Sequence, residues 1–323
     1  MTALTTRAEK QAPRRELVIV TRLPRSGTTP MGDALAQGRG LGQLYEPLNA
    51  TAGDKRIQRY FAVPGADISV PEFAAFVDDV KRLKLDLRPG LWKADGPARR
   101  MVKRVTGGRS RHTLRMARVR RPRTLIWKDP FALFTLDRLV DLGNDRIVVT
   151  FRNPAAIASS FERLRWKFDI ADLERRLERA GIHPGWRADP PDTGSPYVDS
   201  AVRLYLLGYG RALALRDRYE SIEFVDNADL AKNHDALVAA LRAKLGLPPA
   251  PEAHRPVERP SAPSQGTSPS GGKAYGKRAH VAHRDLSRVN TYYDEILTPE
   301  QIQAIEKSTR DMHRSLTEVA FRP

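Results

Sequence analysis

The chain contains no cysteine, which excludes a disulfide framework and thiolate metal sites and favours a reducing compartment, with the cytoplasm as the expectation. It contains no apolar run near the roughly 18 residues of a membrane span. Its polar start, MTALTTRAEKQAPRRE, lacks the apolar centre of a signal peptide. Neither export nor membrane insertion is expected. Between Gly96 and Thr124 there is no acidic residue, while eleven Arg and Lys fall between Arg99 and Arg123. Eleven uncompensated charges of one sign mark a surface.

What is present is a globular composition. At 323 residues with 41% hydrophobic side chains the chain can bury a substantial core, and one large domain is the default. A net charge of +17 and a pI near 10.3 attract anions in general, whether nucleotides, acidic glycans, anionic lipid surfaces or nucleic acid.

Four short apolar runs, ELVIVT from Glu16, TLIWK ending at Lys128, DRIVVTF ending at Phe151 and SIEFV ending at Val225, read as buried strands. Between them lie helical patterns, among them FALFTLDRLVDLG from Phe131 and a long one from Tyr197. Strands alternating with helices predict a three-layer α/β/α domain with a central parallel sheet. Residues 1–15 are expected to form a flexible arm and 16–323 the single domain. Within it, 248–290 reads as a mobile segment rich in Pro, Gly, Ser and basic residues, and 298–316 as a last helix opened by Thr298, Pro299 and Glu300.

The first strand runs into PRSGTT and a helix, a strand–turn–helix that offers backbone N–H groups to an anion. Gly27 permits the turn, and Pro30 is tolerable in a first helical turn. The nucleoside triphosphate pattern GxxxxGK[ST] fails: with Gly27 as the second glycine, Arg22 replaces the first and Thr28 the lysine. The third apolar run ends in FRNPAAIASS, with Arg152 directly after the strand and Ser160 eight positions on.

PRSGTT and the Arg152–Ser160 pair, in this order, resemble the cofactor motifs of the sulfotransferases that use 3′-phosphoadenosine 5′-phosphosulfate (PAPS). The segment Tyr45-Glu46-Pro47-Leu48 is similar to the one that carries the catalytic carboxylate in carbohydrate-type members. The resemblance spans roughly residues 16–247 and implies a sulfotransferase fold of the P-loop NTPase type. It also implies that Arg25, Ser26, Gly27, Thr28 and Thr29 hold the 5′-phosphosulfate and that Arg152 and Ser160 hold the 3′-phosphate. Glu46 is then the general base, Arg25 and Lys128 stabilise the leaving oxygen, and no metal is required. A pairing of Lys128 with Asp129 or a nearby carboxylate is the structural alternative. The family's late acidic motif is not matched in EFVDNADLAKNH, and Lys273, Lys277, Arg278 and Arg284 are only candidates for cofactor contact.

Two other readings stand beside this one: a nucleotide-dependent kinase with a degenerate loop, and a basic nucleic-acid-binding protein. Against the second, the basic block has no aromatic interleaving, and no helix-turn-helix or zinc signature accompanies it. The block itself admits three roles: a solvated basic face, a docking surface for an anionic acceptor, or a peripheral membrane patch for a lipid-linked one. The acceptor is a hydroxyl-bearing molecule, with a carbohydrate or glycolipid expected. The seven histidines, His112, His183, His234, His254, His280, His283 and His313, show no metal-site spacing.

Overall fold

The structure, a computed structural model, describes residues 14–25, 29–90, 101, 108–144, 146–183, 191–251 and 292–323, with the side chains of Thr29 and Pro30 excluded. Ser26, Gly27 and Thr28 lie outside the described residues. So do most of the expected arm, most of the basic stretch from Gly96 to Gly107, and residues 252–291 with their four candidate cofactor contacts and three histidines.

Five strands form one sheet: β1 Glu16–Thr21, β2 Leu41–Tyr45, β3 Thr124–Asp129, β4 Ile147–Phe151 and β5 Ile222–Asp226. Their order is β2-β3-β1-β4-β5 and every pairing is parallel. This is the expected α/β/α architecture. β2 was not expected as a strand: LGQLY has no β-branched residue, and its Gly42 lies where a Cβ would come within 2.6 Å of Pro122. The pairing with β3, not local propensity, makes it a strand.

A parallel sheet must be covered on both faces, and the strands alternate accordingly. Leu17 and Ile19 of β1 enter a large core with Trp127 and Phe76, while Val18 and Val20 enter a second core with Met31 and Leu241. On the first face lie α2 (Val70–Arg82), α5 (Pro154–Leu164) and α7 (Pro196–Arg216), with α3 (Arg109–Arg120) against β2. A short α4 (Leu136–Asp141) and α6 (Ile170–Arg179) extend that side. The second face is covered by α1 (Thr29–Leu35), α8 (Asn227–Lys232) and α9 (His234–Lys244).

The last helix, α10 (Pro299–Glu318), begins at the expected Thr298, whose hydroxyl accepts from the Gln301 N–H while the Gln301 side chain returns to the cap backbone. It packs on α5 and α7. No helix among the described residues is long and apolar enough to cross a membrane.

One buried side chain fixes α1. Arg242 of α9, only 1% exposed, donates from Nη1 to the carbonyls of Ala34 (3.0 Å) and Leu35 (3.1 Å), from Nη2 to that of Gln37 (2.9 Å) and from Nε to that of Pro248 (2.9 Å). These satisfy carbonyls that the end of a helix leaves open. Arg242→Ala should therefore leave several buried acceptors unmet and cost about 3 kcal/mol or more in urea unfolding. A loss below about 1 kcal/mol would show that solvent replaces the guanidinium.

Candidate functional site

Parallel pairing brings the carboxyl ends of the strands to one edge. Val20 of β1 is level with Lys128, and Lys128 with Tyr45, so Arg22, Glu46 and Asp129 follow at neighbouring strand ends. Arg152 leaves β4 on the other side of β1. The chain departs from β1 towards β2 on one side and later crosses to β4 on the other, which is where open α/β sheets place their crevice.

On the β4 side three of the expected residues meet. Arg25 Nε donates to Ser160 Oγ at 2.8 Å, and Arg152 Nη1 donates to the Arg25 carbonyl at 3.2 Å. Arg152 and Ser160 are 2% and 1% exposed. The helix that carries Ser160 is started by Asn153, whose side chain accepts from the N–H groups of Ala155 and Ala156 at 2.8 and 3.3 Å, with Pro154 in the first turn. Arg25 itself has a positive φ of 74°. Such a backbone costs a non-glycine residue about 1 kcal/mol and persists only where the surroundings enforce it.

On the β2–β3 side stand Glu46 and Lys128. Glu46 also has a left-handed backbone, φ 51°. Its N–H donates to the Lys128 carbonyl at 2.8 Å, and its carbonyl accepts from the Asn49 N–H at 3.1 Å. Its carboxylate accepts from Asn49 Nδ2 at 2.8 Å. Asp129 secures the turn: its carboxylate accepts from the N–H groups of Leu48 (2.6 Å) and Phe131 (3.0 Å) and from Trp127 Nε1 (3.2 Å). Burial, then the Glu46 charge, raises its pKa to about 7. Gly53 closes the same turn, since a Cβ there would lie 2.2 Å from the Pro47 carbonyl oxygen.

Lys128 does not pair with Asp129. Successive strand residues point to opposite faces, and Lys128 passes under α1, where Gly32 makes room: a Cβ on Gly32 would stand 3.1 Å from Lys128 Cγ. The ammonium sits 4.1 Å from the Tyr45 ring centre, with no hydrogen-bond acceptor among the described residues. Burial, then the neighbouring Arg22 charge, lowers the Lys128 pKa to about 7. On the same ring, Arg109 lies 4.4 Å from the centre and forms an ion pair with Asp33 at 2.9 Å.

The basic block is therefore not uncompensated throughout. Asp33 of α1 answers Arg109, and Arg111 and Arg118 donate to the Leu87 and Leu83 carbonyls, each at 2.8 Å. The most informative residue that the motifs omitted is Arg22. It is 8% exposed, and its Nε and Nη1 are buried with no hydrogen-bond acceptor among the described residues. Its place immediately after a buried apolar strand was the available signal.

No family model and no curated protein sequence matches the chain. Among solved structures, the chain is similar to the mouse sulfotransferase SULT7A1 complexed with PAP. That likeness covers 97% of this chain and 94% of that one at 13% identity, with a TM-score of 0.39. It is also similar to a sulfotransferase from Alicyclobacillus acidocaldarius, over 73% of this chain and 82% of that one at 15% identity, with a TM-score of 0.36.

Lys128 makes the edge costly. Because its folded-state pKa is near 7 and its ordinary value is 10.5, the folded protein loses stability as pH falls from about 10.5 to about 7, and the loss is complete below that. Lys128→Met should raise stability at pH 7 by about 1–4 kcal/mol, with the gain vanishing above about pH 10. Denaturant titrations of both proteins across that range test this, and a gain independent of pH would refute it.

Proposed function

We propose that the chain transfers the sulfuryl group of PAPS to a hydroxyl of a carbohydrate or glycolipid acceptor. The observation that supports this most is the contact of Arg25 with Ser160 and of Arg152 with the Arg25 carbonyl. It unites the loop after β1 with the β4–α5 junction, the two motifs whose combination suits a nucleotide carrying both a 5′-phosphosulfate and a 3′-phosphate. An anion also fits the site's chemistry, because the buried Nζ of Lys128 lacks an acceptor among the described residues.

In this reading Ser26, Gly27, Thr28 and Thr29 hold the 5′-phosphosulfate, and Arg152 and Ser160 hold the 3′-phosphate through charge-assisted bonds. The chemistry supplied by PAPS is an in-line transfer of its sulfuryl group to oxygen, with adenosine 3′,5′-bisphosphate as the leaving group. Arg25 and Lys128 stabilise the negative charge at the bridging oxygen. Glu46 takes the proton of the attacking hydroxyl, and its hydrogen bond from Asn49 and its strained backbone hold the carboxylate in place. Asp129 is a positioning residue, acting through the turn it secures.

Adenosine 3′,5′-bisphosphate should raise the melting temperature well above the effect of 5′-AMP, since only the former offers a 3′-phosphate to Arg152 and Ser160. Arg152→Ala should weaken the bisphosphate by about 2–3 kcal/mol. Equal shifts from the two nucleotides would refute the assignment.

Glu46→Gln keeps the shape and removes the proton acceptor. Turnover, read as sulfate mass added to an acceptor panel, should fall about 10²- to 10⁴-fold while bisphosphate affinity holds. Near-normal turnover would assign the base elsewhere.

A further inference from the structure

We propose that Arg22 is the recognition residue of an oxyanion subsite on the Glu46 side of the crevice, so that the acceptor is an acidic molecule whose carboxylate or sulfate group lies beside the hydroxyl it presents. The inference rests on the sulfuryl-transfer reading for the identity of the neighbouring ligand, and on Arg22 itself for the subsite.

A guanidinium has five N–H donors and no way of losing its charge at neutral pH. Buried without partners it is a heavy expense to the fold, so it persists where a ligand completes it. Arg22 is in that condition at two of its three nitrogens: it is 8% exposed, and Nε and Nη1 have no acceptor among the described residues. Neither carboxylate of the strand ends satisfies it. Asp129 is fully buried, with both oxygens engaged by three N–H donors. Glu46 acts on Arg22 through its charge, and its carboxylate is hydrogen-bonded to Asn49. Lys128 adds a second buried cation near enough for Arg22 to repel it. With Lys128 given to the leaving oxygen, the unmet donors of Arg22 beside Glu46 call for a second oxyanion.

The position selects which anion. The contacts of Arg25, Arg152 and Ser160 lie on the β4 side of β1, where the nucleotide is assigned. Arg22 stands at the end of β1, and of the residues that act on its guanidinium electrostatically Glu46 comes first, ahead of Tyr45 and of Tyr209 on the β4 side. An anion there lies next to the proposed base, which is where the acceptor hydroxyl arrives.

Inorganic sulfate is the probe, titrated by thermal shift into the protein alone, with saturating adenosine 3′,5′-bisphosphate, and with saturating PAPS. Sulfate should stabilise the wild type in all three states, and roughly tenfold more weakly in Arg22→Met, as expected for loss of one charge-assisted contact. Bisphosphate affinity should be unchanged in that variant. Arg22→Met removes a buried unpaired charge and should fold; Arg22→Lys, which keeps a cation, should retain part of the sulfate response. If PAPS abolishes the sulfate effect while the bisphosphate preserves it, the anion occupies the sulfuryl position and the acceptor assignment is overturned. No sulfate effect on the wild type in any state, or an equal effect on Arg22→Met, overturns the subsite. Failure of either nucleotide to bind while sulfate still responds to Arg22 would instead refute the sulfuryl-transfer reading and leave the subsite intact.

Discussion

The parallel pairing of β1 between β3 and β4 is the constraint on which the rest depends. With both neighbours in register and pointing the same way, Arg22, Lys128 and Arg152 come within one edge although more than a hundred residues separate the first from the others. Burial on both faces makes this arrangement rigid, since a slip of one residue would exchange the Leu17–Ile19 face for the Val18–Val20 face and misplace every strand end. The edge then inherits its geometry from the two cores, and loops contribute detail within that frame.

What the cores stabilise, the edge partly spends on unfavourable local states. Arg25 and Glu46 have left-handed backbones, Asp129 is held at a raised pKa, and Lys128 and Arg22 are buried cations without hydrogen-bond acceptors among the described residues. Two of them are fixed by neighbours, Glu46 by Asn49 and Asp129 by Leu48, Phe131 and Trp127. Left-handed backbones also occur elsewhere, as at Phe61 and Leu83, so what sets this edge apart is the meeting of buried cations with a buried carboxylate rather than strain alone.

Local signals carried much of this into the sequence. Four of the five strands, the cap at Thr298, and the Arg25, Arg152 and Ser160 positions are legible because each rests on a few adjacent residues. β2 is not, because Gly42 and its neighbours become a strand only against β3. The environment of Lys128 is equally hidden. Adjacent Asp129 suggests a pair, yet strand alternation sends one side chain to Trp127 and the other beneath α1. The basic block misleads in the same way, since the partner of Arg109 is Asp33, 76 residues away.

Gly32 has a consequence for how this sequence can change. Its missing Cβ is the space through which the Lys128 stem runs, with Cγ, Cβ and Cδ of Lys128 at 3.1, 3.3 and 3.3 Å from that point. A side chain at position 32 is thus resisted by the Lys128 stem, and shortening that stem removes the Cγ and Cδ contacts while the one to Cβ at 3.3 Å stays. The two positions are therefore coupled: what position 32 can hold depends on the side chain at 128, and the order in which substitutions arrive bears on which are tolerated.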